Sequence, residues 1–213
     1  MKRIVFWGDS ITDCCREREN LYSLGQGYAY LVSAALGKEN PNDYEFINKG
    51  ISGNRIVDLY ARMKIDFINL KPDYASIFIG VNDTWHEVND DNGVDTEKFE
   101  KIYTMMLEEI FEALPNLKLF LITPYVLDGA ATQNSEDKPN RDVLFKTDVA
   151  EKAEAVKRIA KKFNLPVIET QPVFNAAAKT APNEYWAFDG VHPTPYGHEI
   201  LKELWLETFQ KIK

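Results

Sequence analysis

Short apolar runs alternate along the chain with longer stretches of helical periodicity. Five runs have the length of strands: residues 4–7, 44–48, 74–79, 117–122 and 165–168. Five stretches between or after them carry apolar residues at helical spacing: residues 27–37, 56–70, 99–114, 149–163 and 200–209. Strands that alternate with helices predict a parallel sheet covered by helices on both faces.

Capping signals refine some of these helices. Gly37 should end the first helix, either Ser52 or Asn54 should cap the second, and Thr194 before a proline should start the last. We expect an acidic loop over residues 87–95. Residues 128–140 form the longest stretch without a pattern, which is typical of either a mobile lid or a surface excursion.

The composition fits one globular domain over residues 1–213, since 45% of the residues are apolar. A net charge of −8 argues against a nucleic-acid partner. The four apolar residues before Gly8 are too few for a signal-peptide core, and no later run is long enough to cross a bilayer. We therefore expect a soluble cytoplasmic protein with no membrane partner. The adjacent Cys14 and Cys15 cannot form an ordinary disulfide and are expected to be small buried thiols.

A candidate nucleophile follows the first predicted strand, where Gly8-Asp9-Ser10 interrupts the apolar run. Open α/β sheets bind ligands beyond the carboxyl ends of their strands, and glycine permits a sharp turn that presents Ser10 there. The alternative is that Asp9 and Ser10 only cap a helix. The tripeptide alone does not decide between the two interpretations.

A serine nucleophile needs a base, and the chain has three histidines. His192 is the best candidate, because Asp189 lies three residues before it and can fix its tautomer while the other ring nitrogen faces the serine. The alternative is a buried histidine with an incidental acidic neighbour. His86 lies close to Asn82 and remains a second candidate for the base. His198 is most simply a surface or capping residue.

The negative charge that develops on a carbonyl oxygen needs hydrogen-bond donors aimed at it. Three groups are candidates: the backbone N–H of Ser10, the backbone N–H of Gly53 and the side-chain amide of Asn82. Gly53 lies in a loop after the second strand, and Asn82 follows the third. As alternatives, Gly53 is a turn residue with positive φ and Asn82 is part of an ordinary turn.

Four blocks resemble, in order and content, those of the SGNH (GDSL-type) hydrolases: Gly8-Asp9-Ser10, the glycine of residues 51–54, Gly80-Val81-Asn82-Asp83 and residues 189–193. The resemblance implies an α/β fold, a single-domain flavodoxin-like three-layer sandwich with a five-stranded parallel sheet. It also implies ester hydrolysis without a metal or other cofactor. Ser10 would be the nucleophile, His192 the base and Asp189 its partner, and Ser10, Gly53 and Asn82 would form the oxyanion hole.

Longer strings at residues 8–14, 48–54 and 81–85 are similar to those of carbohydrate deacetylases of the acetylxylan esterase kind. This finer resemblance implies acetyl groups on sugars or xylo-oligosaccharides as the substrate. Asp9, Trp85 and Trp186 are candidate pocket residues, although the two tryptophans are equally ordinary as core aromatics. The expected partner is a small-molecule ester or acetylated sugar. The sequence leaves open whether the protein forms a homo-oligomer.

Three other functions remain as alternatives. A lysophospholipase or thioesterase would use the same three residues on other acyl groups. A non-catalytic sugar-binding module would use the same pocket without chemistry. A metal-dependent phosphoesterase would need ligands from the oxygen and imidazole groups, although the chain lacks the Asp-x-His and Gly-Asn-His blocks of such enzymes. Its candidate ligands are Asp9, Asp13, Asn82, Asp83, His86, Asp189 and His192.

Overall fold

A five-stranded parallel sheet forms the centre of the protein, and the computed structural model describes all residues from Met1 to Lys213. The strands are β1 Lys2–Gly8, β2 Tyr44–Asn48, β3 Tyr74–Phe78, β4 Lys118–Ile122 and β5 Val167–Ile168. They follow the order β2-β1-β3-β4-β5, which is the flavodoxin-like order. The predicted α/β class with a five-stranded parallel sheet is therefore confirmed.

Nine helices surround the sheet, and five of them correspond to the predicted stretches of helical periodicity. Their bounds are α1 Ser10–Asp13, α2 Tyr28–Glu39, α3 Ile56–Asp66, α4 Val81–Asp90, α5 Thr96–Ala113, α6 Arg141–Phe163, α7 Thr170–Ala177, α8 Asn183–Trp186 and α9 Pro195–Gln210. A short 3₁₀ turn, Ile68–Leu70, follows α3. None of these helices combines the length and the apolar character that crossing a membrane requires.

The core is divided in two because successive residues of a strand point to opposite faces of the sheet. On β1, Ile4 and Phe6 pack on one face with apolar residues of α2 and α9. Val5 and Trp7 pack on the other face with apolar residues of α3 and α5. On the first face, Trp205 of α9 also donates its Nε1 hydrogen to Ser76 Oγ of β3 at 2.9 Å. The result is the three-layer sandwich that the resemblance implied.

The acidic loop expected over residues 87–95 is partly wrong, because α4 begins at Val81 and continues to Asp90. Polar side chains occupy the buried side of its first turn. Asn82 donates to the Asn54 carbonyl oxygen at 3.2 Å, and Asp83 accepts the Ile56 N–H at 3.0 Å. Val81, Trp85 and Val88 keep helical spacing and pack on the core, but three apolar positions make a short pattern, and buried polar residues that bond to a neighbouring loop lie between them.

Several helix ends also differ from expectation. Neither Ser52 nor Asn54 caps α3, because Arg55 occupies the cap position and its N–H donates to Asp58 Oδ2 at 2.8 Å. The first predicted helix, α2, passes through Gly37 and ends at Glu39. The predicted start of α9 is confirmed, since the Thr194 side chain caps it.

Residues 128–140 are irregular, as predicted, and their first part packs against the loop that carries Asp189. The Leu127 N–H donates to the Gly190 carbonyl oxygen at 2.8 Å, and the Ala131 N–H donates to the Asp189 carbonyl oxygen at 2.9 Å. These two bonds fix the carbonyl groups of Asp189 and Gly190, and with them the backbone of that loop. The segment therefore supports that loop, and a lid movement stays a prediction.

Candidate active site

Ser10 lies at the carboxyl end of β1, where the strand turns directly into α1. The Asp9 side chain caps this one-turn helix by accepting the Ile11 N–H at 3.0 Å. Gly8 allows β1 to lie close to β3, because a Cβ at this position would be 2.3 Å from the Phe78 carbonyl oxygen. The capping interpretation is therefore confirmed for Asp9, and Ser10 lies half-buried at the carboxyl end of β1.

The structure brings Ser10, His192 and Asp189 into one chain of hydrogen bonds. Ser10 Oγ is 2.9 Å from His192 Nε2, and His192 Nδ1 is 2.7 Å from Asp189 Oδ2. Asp189 Oδ1 accepts the backbone N–H groups of Val191 and His192, at 2.9 and 2.8 Å. The three-residue spacing therefore fixes the carboxylate against its own loop and the imidazole against the carboxylate.

Asp189 and His192 shift each other's pKa. Burial alone lowers the pKa of His192, but the hydrogen bond and charge of Asp189 outweigh it, so the pKa lies above its ordinary value of 6.5. Burial likewise raises the pKa of Asp189, but the hydrogen bonds from His192 and from two backbone N–H groups hold it below its ordinary value. Asp189 is therefore ionised at neutral pH and stabilises a protonated His192.

The three candidate donors each have a hydrogen to give. Ser10 is the first residue of α1, where a backbone N–H has no acceptor within the helix. Gly53 has a φ of +84°, a conformation that favours glycine, and its N–H has no acceptor in the protein. Asn82 is buried in the first turn of α4 and uses one amide hydrogen on the Asn54 carbonyl oxygen.

Hydrogen bonds tie the loops that carry these donors to one another. The Ile51 N–H donates to the Gly8 carbonyl oxygen at 3.1 Å, which joins the Gly53 loop to the end of β1. His86 Nε2 lies 3.0 Å from the Gly53 carbonyl oxygen, which joins the same loop to α4. His86 therefore orients this loop, and its ring does not bond to Ser10.

A cavity of about 620 Å³ opens beside Ser10 and His192. Trp85 and Phe188 line it and flank the His192 ring, with centroids 5.8 and 5.7 Å away. Trp85 therefore lines the cavity, as the pocket hypothesis predicted. Asp9 and Trp186 do not line the cavity, so the structure does not support them as pocket residues.

Asp9 is instead buried, and Trp186 is half-buried away from the cavity lining. Asp9 is 1% exposed, and burial raises its pKa to about 7 against the opposing effects of the Ile11 N–H and the charge of His192. Trp186 ends α8, packs edge to face against Tyr185 and has its Nε1 buried. Neither residue is therefore placed to contact a ligand in the cavity.

Two residues that sequence reasoning placed elsewhere also line the cavity. His198 is 4% exposed rather than on the surface, and its Nδ1 accepts the Tyr28 N–H at 3.1 Å. Burial lowers the pKa of His198 to about 4, so the ring is neutral near pH 7. Cys14 is half-buried with its Sγ 3.4 Å from His198 Nε2, and Cys15 is exposed, so the expectation of buried thiols is wrong.

Phe188, Arg16 and Arg18 are cavity residues that the sequence analysis missed. Phe188 directly precedes Asp189, a position that signals closeness to His192, whereas the two arginines follow Ser10 in a polar stretch without periodicity. No group of three or more His, Cys, Asp or Glu side chains is arranged to hold a metal ion.

Comparison with known proteins finds one family model that spans most of the chain. The model of the GDSL-like lipase/acylhydrolase family matches residues 6–200. An acetylxylan esterase from Geobacillus stearothermophilus is 34% identical, and the match covers 96% of this chain and 92% of that protein.

Solved structures agree with this assignment. A Parabacteroides merdae protein assigned as a GDSL-like lipase is 32% identical with a TM-score of 0.90, covering 100% of this chain and 96% of that chain. The Geobacillus acetylxylan esterase is 33% identical with a TM-score of 0.82, covering 97% and 93%. Solved catalytic mutants of that enzyme replace a serine, an aspartate or a histidine by alanine. This chain therefore belongs to the GDSL-like lipase/acylhydrolase family and is a carboxylic ester hydrolase.

Proposed function

We propose that this hydrolase removes acetyl groups from sugars or xylo-oligosaccharides with Ser10, His192 and Asp189 as a catalytic triad. The observation that carries the proposal is the continuous hydrogen-bond chain from the Ser10 hydroxyl through both ring nitrogens of His192 to Asp189. The residue types replaced in the catalytic mutants of the Geobacillus enzyme support the same roles.

In the first half of the reaction, Ser10 Oγ attacks the carbonyl carbon of the acetyl ester. The serine proton passes to His192 Nε2, which lies 2.9 Å away, and Asp189 stabilises the imidazolium that forms. Collapse of the tetrahedral intermediate breaks the bond between the carbonyl carbon and the sugar oxygen. That oxygen takes the proton from His192, and the acetyl group stays on Ser10.

In the second half, a water molecule attacks the acetyl-serine ester, and His192 accepts the proton of that water. The second tetrahedral intermediate releases acetate, and His192 returns the proton to Ser10 Oγ. Both intermediates carry negative charge on the former carbonyl oxygen. The N–H groups of Ser10 and Gly53 and the amide of Asn82 are the donors that we assign to this oxygen.

We expect Asn82→Ala to lower kcat by about 10²- to 10³-fold with a much smaller change in KM. The reason is that the amide bonds to a charge that exists only near the transition state. Asn89→Ala is the matched control, because Asn89 lies on the same helix and bonds only to the Trp85 carbonyl oxygen. Steady-state kinetics on an aryl acetate measure both variants, and an unchanged kcat for Asn82→Ala would remove it from the oxyanion hole.

The pH dependence should follow His192, because only the neutral imidazole can accept the serine proton. Since Asp189 raises the pKa of His192 above 6.5, despite the lowering effect of burial, kcat/KM should fall as the pH falls through a midpoint above 6.5. The measurement is kcat/KM for an aryl acetate from pH 4 to 9. A profile that stays flat down to pH 4 would exclude His192 as the base.

The substrate part of the proposal is supported by the Geobacillus relative, which is described as an acetyl-xylooligosaccharide esterase. In this chain the aromatic rings of Trp85 and Phe188 lie beside His192, where they offer apolar walls to an acyl group or flat faces to a sugar ring. The expected preference for acetyl groups follows from the likeness to the Geobacillus enzyme.

The test is hydrolysis of matched aryl esters from acetyl to octanoyl, together with peracetylated xylose, by the wild-type protein and by Ser10→Ala. Turnover restricted to acetyl esters and sugar acetates, and lost in the variant, is the expected result. Preference for longer chains would keep the serine mechanism but replace the sugar substrate with a lipid or thioester. No serine-dependent turnover of any ester would refute the proposal.

A further inference from the structure

We propose that the sugar bound in the active-site cavity carries a carboxylate group, as a uronic acid does, and that Arg16 binds this group. The inference rests on the proposed function and names the class of acyl acceptor that the site takes. Its starting observation is that Arg16 and Ser10 line the same cavity.

Arg16 is a buried cation without an anionic partner in the protein. The residue is 8% exposed, and its Nε donates to the Gly50 carbonyl oxygen at 2.8 Å. Neither terminal nitrogen of its guanidinium has a hydrogen-bond acceptor in the protein, and Arg16 forms no ion pair. Because a guanidinium gains most from an anionic partner, the lack of an acceptor for both terminal nitrogens makes Arg16 a candidate to bind a negatively charged ligand in the cavity that it lines.

The carboxylates nearest to Arg16 are already used by other groups. Asp13 Oδ2 accepts from Arg18 at 2.8 Å and from the Ser52 N–H at 2.9 Å, and Asp13 Oδ1 accepts only the backbone N–H of Arg16, at 3.3 Å. Asp66 Oδ1 pairs with a lysine and Asp66 Oδ2 with Arg62, each at 3.0 Å. The guanidinium of Arg16 is therefore left for a ligand.

The surroundings of Arg16 carry an excess of positive charge although the whole chain carries a net charge of −8. Two carboxylates are surrounded by four cationic side chains, and the charges of Arg16 and Arg62 interact. The two carboxylates are Asp13 and Asp66, and the four cations are Arg16, Arg18, Lys49 and Arg62. Of these six residues only Asp13, Arg16 and Arg18 line the cavity, and at that end of the cavity the two arginines outnumber the one carboxylate, which favours an anionic ligand there.

The same cavity also exposes Asp13 and Asp189, which limits the charge that a ligand can bring. Two negative side chains repel a dianion such as a phosphate monoester about twice as strongly as a monoanion. The planar fork of a guanidinium matches a carboxylate with two parallel hydrogen bonds. A uronic acid presents one such carboxylate, and its ring hydroxyls can carry the acetyl group that Ser10 attacks.

Binding to the inactive Ser10→Ala protein tests the inference without turnover. The two ligands are methyl 3-O-acetylglucuronoside and its uronamide, in which a neutral amide replaces the carboxylate at almost the same size. Calorimetry should give a Kd about tenfold or more lower for the uronate, because a hydrogen bond between charged groups contributes at least this much. Equal affinities would overturn the inference, whether or not any Arg16 variant folds.

Variants in the Ser10→Ala background then assign the preference to one side chain. Adding Arg16→Gln should bring the affinity ratio close to one, and Arg16→Lys should leave an intermediate ratio, since lysine keeps the charge but loses the fork. Arg158→Gln is the control, because it removes a surface arginine that is paired with Glu100. A ratio that survives Arg16→Gln would overturn the assignment to Arg16.

Hydrolysis by the wild-type protein separates this inference from the proposed function. Tighter binding of the uronate with no serine-dependent hydrolysis of either sugar would refute the esterase proposal and support the Arg16 site. Equal binding with serine-dependent hydrolysis of both sugars would support the esterase and refute the Arg16 site.

Discussion

Replacing Ser10 by alanine should lower kcat for acetyl esters by about 10⁴- to 10⁶-fold, which is the scale of loss when a serine hydrolase loses its nucleophile. The hydroxyl is the only group that the proposed mechanism bonds to the acyl carbon, so no acetyl-enzyme can form without it. Ser10 Oγ bonds only to His192 Nε2 at a cavity wall, and alanine fits in its place. The fold should therefore survive, which circular dichroism and thermal unfolding can verify.

Ser52→Ala provides the matched control, because Ser52 lines the same cavity and its hydroxyl makes no hydrogen bond in the protein. This variant should keep most of the wild-type turnover. If Ser10→Ala and Ser52→Ala lost activity to the same extent, the serine mechanism assigned to Ser10 would be wrong.

Replacing Asp189 by asparagine should cost about 10⁴-fold in kcat, because the neutral amide can no longer stabilise the imidazolium and favours the wrong histidine tautomer. The acid limb of the pH profile should also move down. Burial lowers the pKa of His192, and in the wild-type protein the hydrogen bond and charge of Asp189 outweigh that effect. Without the carboxylate, the lowering effect of burial remains.

The pH shift distinguishes this positioning role from a general loss of structure. The pKa of His192 can be followed by NMR titration of its ring proton in both proteins, even where turnover is low. Asp128→Asn is the control, since it removes an exposed carboxylate that pairs with Lys146 on the surface. An unchanged pKa of His192 in Asp189→Asn would contradict the coupling between the two residues.

Much of the fold could be predicted from the sequence because the five strands are buried and apolar. Residues 44–48 match β2 without any shift, and the parallel order follows from strands that alternate with helices. Ser10 and Asn82 were proposed because each follows a glycine by two residues after a predicted strand, and His192 because it lies between a glycine and a proline. Asp189 was proposed because it lies three residues before His192.

Other elements gave weaker signals for identifiable physical reasons. In α4 the apolar pattern is limited to Val81, Trp85 and Val88, and the first turn also buries Asn82 and Asp83 through hydrogen bonds, so the sequence analysis predicted a loop rather than a helix. His198, in contrast, lies on the same helical stripe as the buried Leu201 and Trp205, so its spacing carried a signal of burial that the sequence analysis did not use. The helix was recognised from its apolar residues alone, and the histidine on its inner face was assigned to the surface.

The cavity wall formed by Arg16 could not be found from sequence. A charged residue in a polar stretch is normally exposed, and nothing in its spacing indicates that Gly50 and Asp13 enclose it. Its burial results from the contact between the loop after β1 and the loop after β2. Contacts of this kind depend on the three-dimensional path of two loops, which periodicity does not report.

Covalent labelling tests the central claim most directly. A serine-reactive fluorophosphonate should label the protein at a one-to-one ratio, as Ser10 Oγ forms a bond to phosphorus and fluoride leaves, and mass spectrometry of the digest should locate the adduct on Ser10. Turnover should fall in proportion to labelling, and Ser10→Ala should remain unlabelled. Loss of activity with the adduct on another residue, or full activity after stoichiometric labelling of Ser10, would contradict the account.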